Sequence, residues 1–287
     1  MYSQLFSPSE LYRCSTQVER RDSGLNKEEM IEAIDTELGS SIVNGTYQFK
    51  IRQYGDLFLH DHAKNTMSYL CQNLVLRKLY KNIKTIYSVQ QADRNTIIKQ
   101  IKLLLAENVE MRIVRLDIRH FYHSVNRDRI LLKLLDDARL SYHTLTLLQS
   151  LFSNPVLSTY TGLPRGIGIS AVLSELYMKY FDLDFKKIEG VYYYARFVDD
   201  IIVFCNSETS MNLALEYARE GLKEIGLELN DEKSYSFDPK QPNTDFTYLG
   251  YTFRKAGKKS VVTIGKKKIN VIKTRLTKSF YSLFKRS

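Results

Sequence analysis

The amino-acid sequence predicts an α+β fold in which a small antiparallel sheet is backed by helices. Apolar residues recur at helical spacing through most of residues 64–108. Residues 111–117 (MRIVRLD) have the composition of a strand that ends at Asp117. In residues 192–204 (YYYARFVDDIIVF), two β-prone runs flank a tight-turn signal, which predicts a hairpin. We expect the strand that ends at Asp117 to lie beside this hairpin.

Length and composition place the chain among ordinary globular proteins. Its 287 residues suggest about two structural units. The 44% hydrophobic and 26% charged content excludes the disordered and collagen-like classes. Cys14, Cys71 and Cys205 form no CxxC pair, which argues against a disulfide framework or a zinc site and predicts a reducing compartment. Since the sequence has neither a signal-peptide pattern nor about 18 consecutive apolar residues, we expect a cytoplasmic protein without a membrane span.

The N-terminal part of the chain is predicted to be mostly helical. In residues 1–43, Asn26 and Glu29 make a capping-box pattern at the start of a helix, and Gly39 is placed to end it. Residues 45–59 are rich in β-prone residues around a Tyr-Gly-Asp turn, which predicts a hairpin. The helix signals in residues 1–43 define an N-terminal helical region, which ends before this hairpin.

The hairpin and the helices that follow it make a second region, residues 44–110. Further along the chain we predict a turn entering a helix over 118–125, a Gly- and Pro-punctuated loop over 162–170, amphipathic helices over 171–185 and 211–225, and short strands within 226–237 and 246–253.

The net charge of +10 comes from the C-terminal end of the chain. Residues 254–287 contain 12 Lys and Arg and no acidic residue, so the first 253 residues carry 30 basic against 32 acidic residues, a net charge of −2. Such a segment is typical of a contact with a nucleic-acid backbone, and also of a protein-docking helix or a solvated face. We expect the partner to be nucleic acid and not a membrane.

Three aspartates are the candidates for chemistry. Asp199 and Asp200 stand side by side at the predicted hairpin turn, where their mutual repulsion costs stability and where Asn-Gly would serve a structural turn equally well. A divalent cation is the usual reason for such a pair, and Asp117 on the neighbouring strand would complete a set of three carboxylates. Two Mg²⁺ ions about 3.5–4 Å apart can activate a hydroxyl and stabilise departing pyrophosphate, which is the chemistry of nucleotidyl transfer.

Five segments of the sequence resemble, in the right order, motifs A to E of reverse transcriptases. They are LDIRHFYHSV (116–125), GLPRGIGISAVLSELY (162–177), FVDD (197–200), GLELNDEKS (226–234) and YLGYTF (248–253). The resemblance covers about residues 110–255. Within the family, the GISAVLSELYMKYFD stretch and the N-terminal region are most similar to the abortive-infection (Abi) and defence-associated reverse transcriptases of prokaryotes.

The resemblance implies a right-hand polymerase palm over residues 111–255, with mostly helical fingers in residues 44–110. Residues 256–287 would be a basic helix that begins a thumb or a helical C-terminal domain, supplied in full by a longer chain or by another subunit. The implied enzyme is an RNA-directed DNA polymerase that joins a deoxynucleotide to a 3′-OH or to a protein hydroxyl. An anti-phage role, synthesis without a template and association into a homo-oligomer are the finer expectations, and RNA and DNA both stay open as templates.

The family's catalytic roles carry over to matching positions in this chain. Asp117, Asp199 and Asp200 would bind two Mg²⁺ or Mn²⁺ ions, together with the carbonyl of Ile118. Lys233 matches the motif D lysine that protonates departing pyrophosphate.

The implied nucleotide site consists of Ile118, Phe121, Tyr122, Arg165 and Gly166. Tyr122 matches the bulky position that crowds a ribose 2′-OH, so the implied substrate is a deoxynucleoside triphosphate. Arg165 departs from the glutamine usual in motif B and cannot copy its amide hydrogen bonds. Motif E, Tyr248–Phe253, would grip the primer strand. The candidates for binding the triphosphate are Lys50, Arg52, Arg77 and Arg94.

Two other functions stay open at this point. An RNA-dependent RNA polymerase uses the same palm, although Tyr122 and the sequence Phe-Val-Asp-Asp argue against it. A catalytically idle palm would bind nucleic acid or serve assembly, but such a domain has no evident use for three clustered carboxylates.

Overall fold

A computed structural model of the protein describes residues 2–107, 109–241, 244–256 and 259–284. Residue 108 of the predicted 44–110 region lies outside the described residues, as do residues 257, 258 and 285–287 of the predicted C-terminal helix. Within the described ranges, no helix is both long enough and apolar enough to cross a membrane.

Helices and strands are mixed along the whole chain, as the α+β prediction requires. The first elements are α1 (Pro8–Tyr12), α2 (Gln17–Ser23), α3 (Lys27–Leu38), β1 (Ile51–Tyr54), β2 (Leu57–His60), α4 (Met67–Tyr87), α5 (Arg94–Ala106), β3 (Arg112–Asp117), α6 (Phe121–Ser124) and α7 (Arg127–Asp136). They are followed by α8 (Tyr142–Phe152), a short 3-10 helix (Pro155–Leu157), α9 (Ile169–Phe185), β4 (Val191–Phe197), β5 (Asp200–Cys205), α10 (Glu208–Glu224), β6 (Tyr235–Phe237), β7 (Asp245–Tyr248), β8 (Tyr251–Ala256), β9 (Lys259–Ile264) and α11 (Lys266–Phe284).

The chain divides into two compact units. Unit 1 comprises Met1–Gln91 and His120–Lys179, and unit 2 comprises Ala92–Arg119 and Tyr180–Ser287. Each unit is therefore built from two separate stretches of chain. The sequence predicts four regions that follow one another along the chain: 1–43, 44–110, 111–255 and 256–287. These boundaries differ from those of the two units, and the division into four regions stays a prediction.

A capping box and a glycine set the two ends of helix α3 in unit 1. The side chain of Asn26 accepts a hydrogen bond from the N–H of Glu29, and the Glu29 carboxylate accepts one from the N–H of Asn26, which confirms the predicted capping box. Gly39 ends α3 as predicted, with a φ of 49° that glycine adopts without steric cost. Strands β1 and β2 pair as the predicted antiparallel hairpin.

Helix α4 carries much of the core of unit 1. It packs against α1, α3 and α8 and buries Cys71, Leu74, Val75, Leu79 and Ile83. The helical periodicity predicted over residues 64–108 is confirmed as two helices, α4 and α5. Ser88 ends α4 in a left-handed conformation, with a φ of 50°.

Unit 2 contains two antiparallel sheets. The order of strands in the first is β4-β5-β3-β6, and in the second it is β7-β8-β9. The predicted hairpin is β4 and β5, and β3 lies beside it as expected. Helix α5 and residues from both sheets share one buried apolar cluster, which includes Ile101, Ile113, Phe204, Phe246 and Phe253. This shared core holds the two sheets of unit 2 together.

The structure refines the sequence-based expectations for three parts of the chain. The short strand predicted within 226–237 is confirmed for β6, at its end, while the earlier residues have only an isolated bridge between Ile118 and Leu229. The turn-forming Asn230 and the residues after it bend the chain instead. Residues 259–264, expected to belong to the basic helix, form the edge strand β9, which the β-branched Val261, Val262 and Thr263 favour. Helices α7 and α8 were not predicted.

Arg77, one of the candidates for binding triphosphate, instead binds an acid inside unit 1. Its guanidinium donates to both carboxylate oxygens of Glu19 at 2.6 and 2.7 Å, and to the carbonyl of Cys14. The Glu19 carboxylate also accepts the backbone N–H and the hydroxyl of Thr16. Although burial acts to raise it, these hydrogen bonds lower the pKa of Glu19 to about 2.

We predict that Glu19→Gln lowers the free energy of unfolding by about 1–2 kcal/mol near neutral pH, because a charged and bidentate contact becomes a neutral one. A depressed pKa in the folded state contributes stability above the unfolded value of 4.5, and this contribution is lost as the pH falls toward about 2. The difference from wild type should therefore shrink through this pH range, as measured by urea unfolding at a series of pH values.

Glu32→Gln, which changes an exposed acid of α3, is the matched control and should unfold like wild type at every pH. A Glu19→Gln difference that stays constant from about pH 7 to pH 3 would contradict the assignment of the effect to the Glu19 charge.

Candidate carboxylate site

The register of the four-stranded sheet places two of the three predicted aspartates opposite each other. Strand β3 pairs antiparallel with β5, and Asp117 is the direct partner of Asp200. Directly opposed residues of an antiparallel pair point to the same face of the sheet. Phe197 pairs with Asp200 across the hairpin, so Val198 and Asp199 form a two-residue turn between β4 and β5. All three carboxylates thus belong to unit 2, at one end of β3 and β5.

The hairpin turn has an unusual backbone conformation. Val198 has a φ of 61°, in the left-handed region that a β-branched residue rarely occupies. This conformation costs about 1–2 kcal/mol, so the surrounding contacts must hold it in place. One such contact is a hydrogen bond of 3.1 Å from the N–H of Ile118 to the carbonyl of Asp199, which ties the turn to the residue after Asp117.

Asp117 is the most buried of the three acids and has several partners in unit 2. Its Oδ1 accepts a hydrogen bond of 2.9 Å from Asn230 Nδ2 and lies 3.3 Å from Lys233 Nζ. The N–H of Asn230 donates to the Asp117 carbonyl at 2.8 Å, and the N–H of Asp117 donates to the Ser234 hydroxyl. The segment after α10 therefore contacts both the main chain and the carboxylate of Asp117. The structure brings the predicted pair of Asp117 and Lys233 together.

Asp200 is held by residues from two other strands. Arg115 Nη2 donates to its Oδ1 at 3.1 Å, and the hydroxyl of Tyr248 donates to its carbonyl oxygen at 3.0 Å. The Arg115 guanidinium also lies 5.7 Å from the ring centre of Tyr235, its direct partner on β6. Asp200 consequently has a cation on its carboxylate and a fixed backbone position.

Three of these partners were missed by sequence reasoning: Arg115, Asn230 and Tyr248. A signal for Arg115 is present, because a residue two positions before Asp117 on a strand points to the same face. Asn230 and Tyr248 lie within segments that resemble motifs D and E, but nothing in their local sequence indicates which strand end they approach.

Asp199 is the acid whose ionisation the site disfavours most clearly. Burial, together with the negative charges of Asp200 and Asp117, raises the pKa of Asp199, while its own backbone N–H and the Lys233 ammonium act in the opposite direction. A cation beside Asp199 would relieve both the desolvation and the repulsion. The electrostatics of the site therefore favour a bound cation.

The donor set at this strand end fits a hard divalent cation, although the side chains are not arranged around one. Carboxylate and carbonyl oxygens are the ligands that Mg²⁺ and Mn²⁺ prefer. In the described part of the chain, no three His, Cys, Asp or Glu side chains are grouped closely enough to hold a metal. Two of the carboxylates are instead paired with cations of the protein: Asp117 Oδ1 with the Lys233 ammonium and Asp200 Oδ1 with the Arg115 guanidinium.

Four of the five predicted nucleotide-site residues belong to unit 1, and the fifth, Ile118, follows β3 in unit 2. Phe121 and Tyr122 lie on the short helix α6, where Phe121 is buried and Tyr122 is half-buried. Arg165 and Gly166 lie in the loop before α9, and both are exposed. The structure thus places two predicted residues on each of two neighbouring segments of unit 1.

Backbone hydrogen bonds hold these two segments of unit 1 in place. The N–H of Leu163 donates to the Tyr122 carbonyl at 2.7 Å, and the N–H of Phe58 donates to the Arg165 carbonyl at 2.7 Å. Gly166 has a φ of 97°, and a Cβ there would lie 2.6 Å from the Phe58 carbonyl oxygen. Only glycine suits this position, which leaves the Arg165 side chain on a fixed and exposed loop.

The remaining candidates for triphosphate binding differ in their availability. Arg94, in unit 2, donates to the Leu249 carbonyl at the turn between β7 and β8, and so supports the motif E hairpin. Lys50 and Arg52, in unit 1, are exposed, and Arg52 Nε lies 3.8 Å from an Asp61 carboxylate oxygen. Lys50 and Arg52 are the candidates left with exposed side chains.

The basic C-terminal segment forms α11, as predicted, after strand β9. Lys268 Nζ lies 4.1 Å from the ring centre of Tyr251, which connects the start of the helix to β8. Most side chains of the helix between residues 266 and 281 are exposed. The positive charge of the chain is therefore displayed on a surface of unit 2.

Comparison with known proteins identifies a family. The sequence profile of the family described as "Reverse transcriptase (RNA-dependent DNA polymerase)" matches residues 49–253. No curated protein matches the sequence.

Solved structures with a similar fold include telomerases from two yeasts. Apo telomerase from Candida tropicalis, truncated from its C-terminal domain, is 14% identical with a TM-score of 0.48; the match covers 66% of this chain and 44% of that one. Telomerase from Candida albicans in complex with a TWJ fragment of telomeric RNA is 13% identical with a TM-score of 0.49, over 67% of this chain and 37% of that one. The chain thus spans less than half the length of these structures.

The profile match extends over most of the chain and includes all five segments that resemble motifs A to E. The chain belongs to the reverse transcriptase family.

Proposed function

We propose that the protein is a DNA polymerase of reverse transcriptase type, which adds a deoxynucleotide to a 3′-OH or to a protein hydroxyl and releases pyrophosphate. The observation that carries this proposal is the sheet register. It sets Asp117 opposite Asp200, with Asp199 in the adjoining turn, at the positions where the family has its metal ligands. The raised pKa of Asp199 and the hard oxygen donors support a divalent cation at this place.

In this proposal, the carboxylates of Asp117, Asp199 and Asp200 and the carbonyl of Ile118 hold two Mg²⁺ or Mn²⁺ ions. When bound, these ions lower the pKa of the attacking hydroxyl and stabilise the negative charge on the departing pyrophosphate. The protein's own part is to fix the ligand positions through the pairing of β3 and β5 and the bond from Ile118 to the turn.

Lys233 is the proposed proton donor to pyrophosphate. Its ammonium lies 3.3 Å from Asp117 Oδ1, within the carboxylate site, yet 62% of the side chain is exposed. A long and exposed lysine side chain exchanges partners at low cost, because its ion pair is screened by water. Lys233 is therefore placed to leave Asp117 and to donate a proton to a leaving phosphate oxygen.

Selection of deoxynucleotides is assigned to Tyr122. The other proposed nucleotide contacts are Ile118, Phe121, Arg165 and Gly166. The buried Phe121 anchors α6, and the bond from Leu163 to the Tyr122 carbonyl fixes the backbone beneath the Tyr122 ring. Arg165 offers a guanidinium that can bind phosphate or stack on a base. A fixed aromatic ring excludes a ribose 2′-OH more effectively than a mobile one.

The motif B helix supports a narrower proposal. Its sequence, GISAVLSELYMKYFD, is most similar to that of the abortive-infection and defence-associated group. We therefore propose that the protein acts in anti-phage defence, and that its DNA synthesis needs no template and begins on a protein hydroxyl. A cytoplasmic location is part of the same proposal. Arg165 in place of glutamine is consistent with synthesis that does not depend on a template, because it lacks the amide of the templated enzymes.

We predict that the Asp199→Asn/Asp200→Asn double variant loses incorporation of labelled dNTP by at least about 10³-fold. Loss of the metal ligands removes several kcal/mol of transition-state stabilisation, at about 1.4 kcal/mol per tenfold in rate. The measurement is incorporation by the purified protein with Mg²⁺ or Mn²⁺, with and without a primed RNA template. Glu220→Ala, which removes an exposed acid of α10 in the same unit, is the control and should keep wild-type activity.

The same variants separate loss of chemistry from loss of folding. Without divalent ions, the double variant should have a stability close to that of wild type, since the repulsion that is removed is offset by the weaker contact of the amide at position 200 with Arg115. Mg²⁺ at about 100 times its dissociation constant should stabilise wild type by about 2.7 kcal/mol and leave the double variant unchanged. Wild-type incorporation by a folded double variant would overturn the assignment of the site.

Protease treatment of the products distinguishes the proposed modes of priming. We expect labelled DNA to form without template and to change its gel mobility after digestion, because the first nucleotide is joined to a protein hydroxyl. Extension that requires the primed RNA, with products resistant to protease, would instead identify a conventional reverse transcriptase. Binding of nucleic acid without incorporation by any variant would identify a palm that only binds.

Tyr122→Ala should relax the choice of sugar. Removing the ring opens space for a 2′-OH. We therefore expect the ratio of kcat/KM for dNTP to kcat/KM for NTP to fall by at least about 10-fold, which is typical when a small steric difference decides between two substrates. Tyr142→Ala, which removes an exposed tyrosine at the start of α8, is the matched control. An unchanged preference would show that another residue excludes ribonucleotides.

A further inference from the structure

A buried ion pair lies next to the carboxylate turn in unit 2. Arg196, on β4, donates from Nε and Nη2 to the two carboxylate oxygens of Asp182, on α9, at 2.9 and 2.7 Å. Only 2% of the Arg196 side chain is exposed. The hydroxyl of Tyr194 donates to the same Asp182 carboxylate at 2.5 Å. A planar guanidinium with two parallel hydrogen bonds to a carboxylate is held in one orientation.

The same guanidinium also contacts the turn. Arg196 Nη1 donates a hydrogen bond of 3.0 Å to the carbonyl oxygen of Val198. A continuous path of hydrogen bonds therefore runs from α9, through Asp182 and Arg196, to the peptide group that joins Val198 to Asp199. This path reaches the turn from the side of β4, whereas the bond from the Ile118 N–H to the Asp199 carbonyl reaches it from β3.

The turn needs contacts of this kind because of the residue at its first position. Val198 has a φ of 61°, and the branched Cβ of valine disfavours this conformation. Glycine would adopt it freely, and Asn and Asp adopt it more readily than valine does. The local sequence therefore does not specify the turn conformation, and contacts from outside the turn must do so.

We propose that Arg196 and Asp182 are positioning residues, which hold the Val198–Asp199 turn in its left-handed conformation and thereby aim the Asp199 carboxylate. This proposal rests on the proposed function of Asp199 as a metal ligand. Arg196 acts through the Val198 carbonyl and Asp182 acts through Arg196, so neither residue needs to touch the substrate.

A purely structural role explains the pair less well. Burial of an ion pair costs desolvation energy, and apolar residues of similar volume often stabilise a protein equally well. Apolar residues cannot donate a hydrogen bond to the Val198 carbonyl. Only a hydrogen-bond donor such as Arg196 can bind the Val198 carbonyl, and through this bond the ion pair contacts the carboxylate turn.

The test is a triple variant, Asp182→Leu/Tyr194→Phe/Arg196→Met, which removes the hydrogen-bond path together with both charges of the ion pair and the Tyr194 hydroxyl. Single variants such as Arg196→Ala are less useful, because they leave the half-buried Asp182 carboxylate without this cation and can prevent folding. The matched control is Asp184→Leu/Lys187→Met, which removes an exposed ion pair of the same unit by similar substitutions. Folding is checked for each variant by thermal unfolding.

We expect the triple variant to fold, to lose about 10–100-fold in kcat with little change in KM for dNTP, and to bind Mn²⁺ at least about 10-fold more weakly. Small displacements of a catalytic group have effects of this size. Mn²⁺ binding is followed by electron paramagnetic resonance and does not depend on turnover. The control pair should match wild type in both measurements.

Rescue is the measurement that a merely structural role would not affect. Addition of Val198→Gly to the triple variant lets the turn adopt its left-handed conformation without help, so most of the Mn²⁺ affinity and kcat should return. A folded triple variant with wild-type Mn²⁺ affinity and kcat would overturn the proposal, as would a loss that Val198→Gly does not restore.

The outcomes also separate this proposal from the function on which it rests. If wild type binds no Mn²⁺ and incorporates no dNTP, the proposed function fails, whatever the triple variant does. If wild type does both and the Asp199→Asn/Asp200→Asn variant does neither, the function stands. In that case the triple variant and its rescue test only whether Arg196 and Asp182 act as positioning residues.

Discussion

The structure of unit 2 depends on holding three carboxylates together against their mutual repulsion. Burial raises the pKa of Asp199, and the nearby negative charges of Asp200 and Asp117 raise it further. Two of the three lie directly opposite each other on paired strands, and the third lies in the turn beside them. A fold has no stability to gain from this arrangement, so the surrounding residues have to compensate for its cost.

The compensation comes from several separate elements. Arg115 on β3 contacts the Asp200 carboxylate, and the segment after α10 brings Asn230 and Lys233 to Asp117. Tyr248, from the second sheet, binds the Asp200 carbonyl. The shared apolar core of α5 and the two sheets is therefore more than a source of stability, because it fixes the strand that carries the Tyr248 hydroxyl.

Sequence reasoning reached the backbone of this site and the lysine beside Asp117, but not Arg115 or Asn230. The hairpin and the strand ending at Asp117 follow from β-prone composition and a turn signal, which are local, whereas their adjacency was expected from the resemblance to motifs A and C. No local feature of the sequence distinguishes Arg77 and Arg94 from the other basic residues. Arg77 binds Glu19 and Arg94 binds the Leu249 carbonyl, contacts between residues 58 and 155 positions apart in the sequence. The positive φ of Val198 was equally hidden, because the valine favours a different conformation and long-range contacts decide the outcome.

The two cations beside the acids differ in a way that matters for their roles. The Lys233 side chain is 62% exposed, and its ion pair is largely screened, whereas Arg115 is 20% exposed and sits between Asp200 and the Tyr235 ring. Lysine is a point charge on a flexible stem, and arginine is a planar group with fixed donor directions. Competition for the acids therefore frees Asp117 from Lys233 more readily than it frees Asp200 from Arg115. Asp200 keeps its orientation, while Asp117 Oδ1 loses the ammonium and keeps the hydrogen bond from Asn230. The exposed ammonium can then contact a phosphate instead.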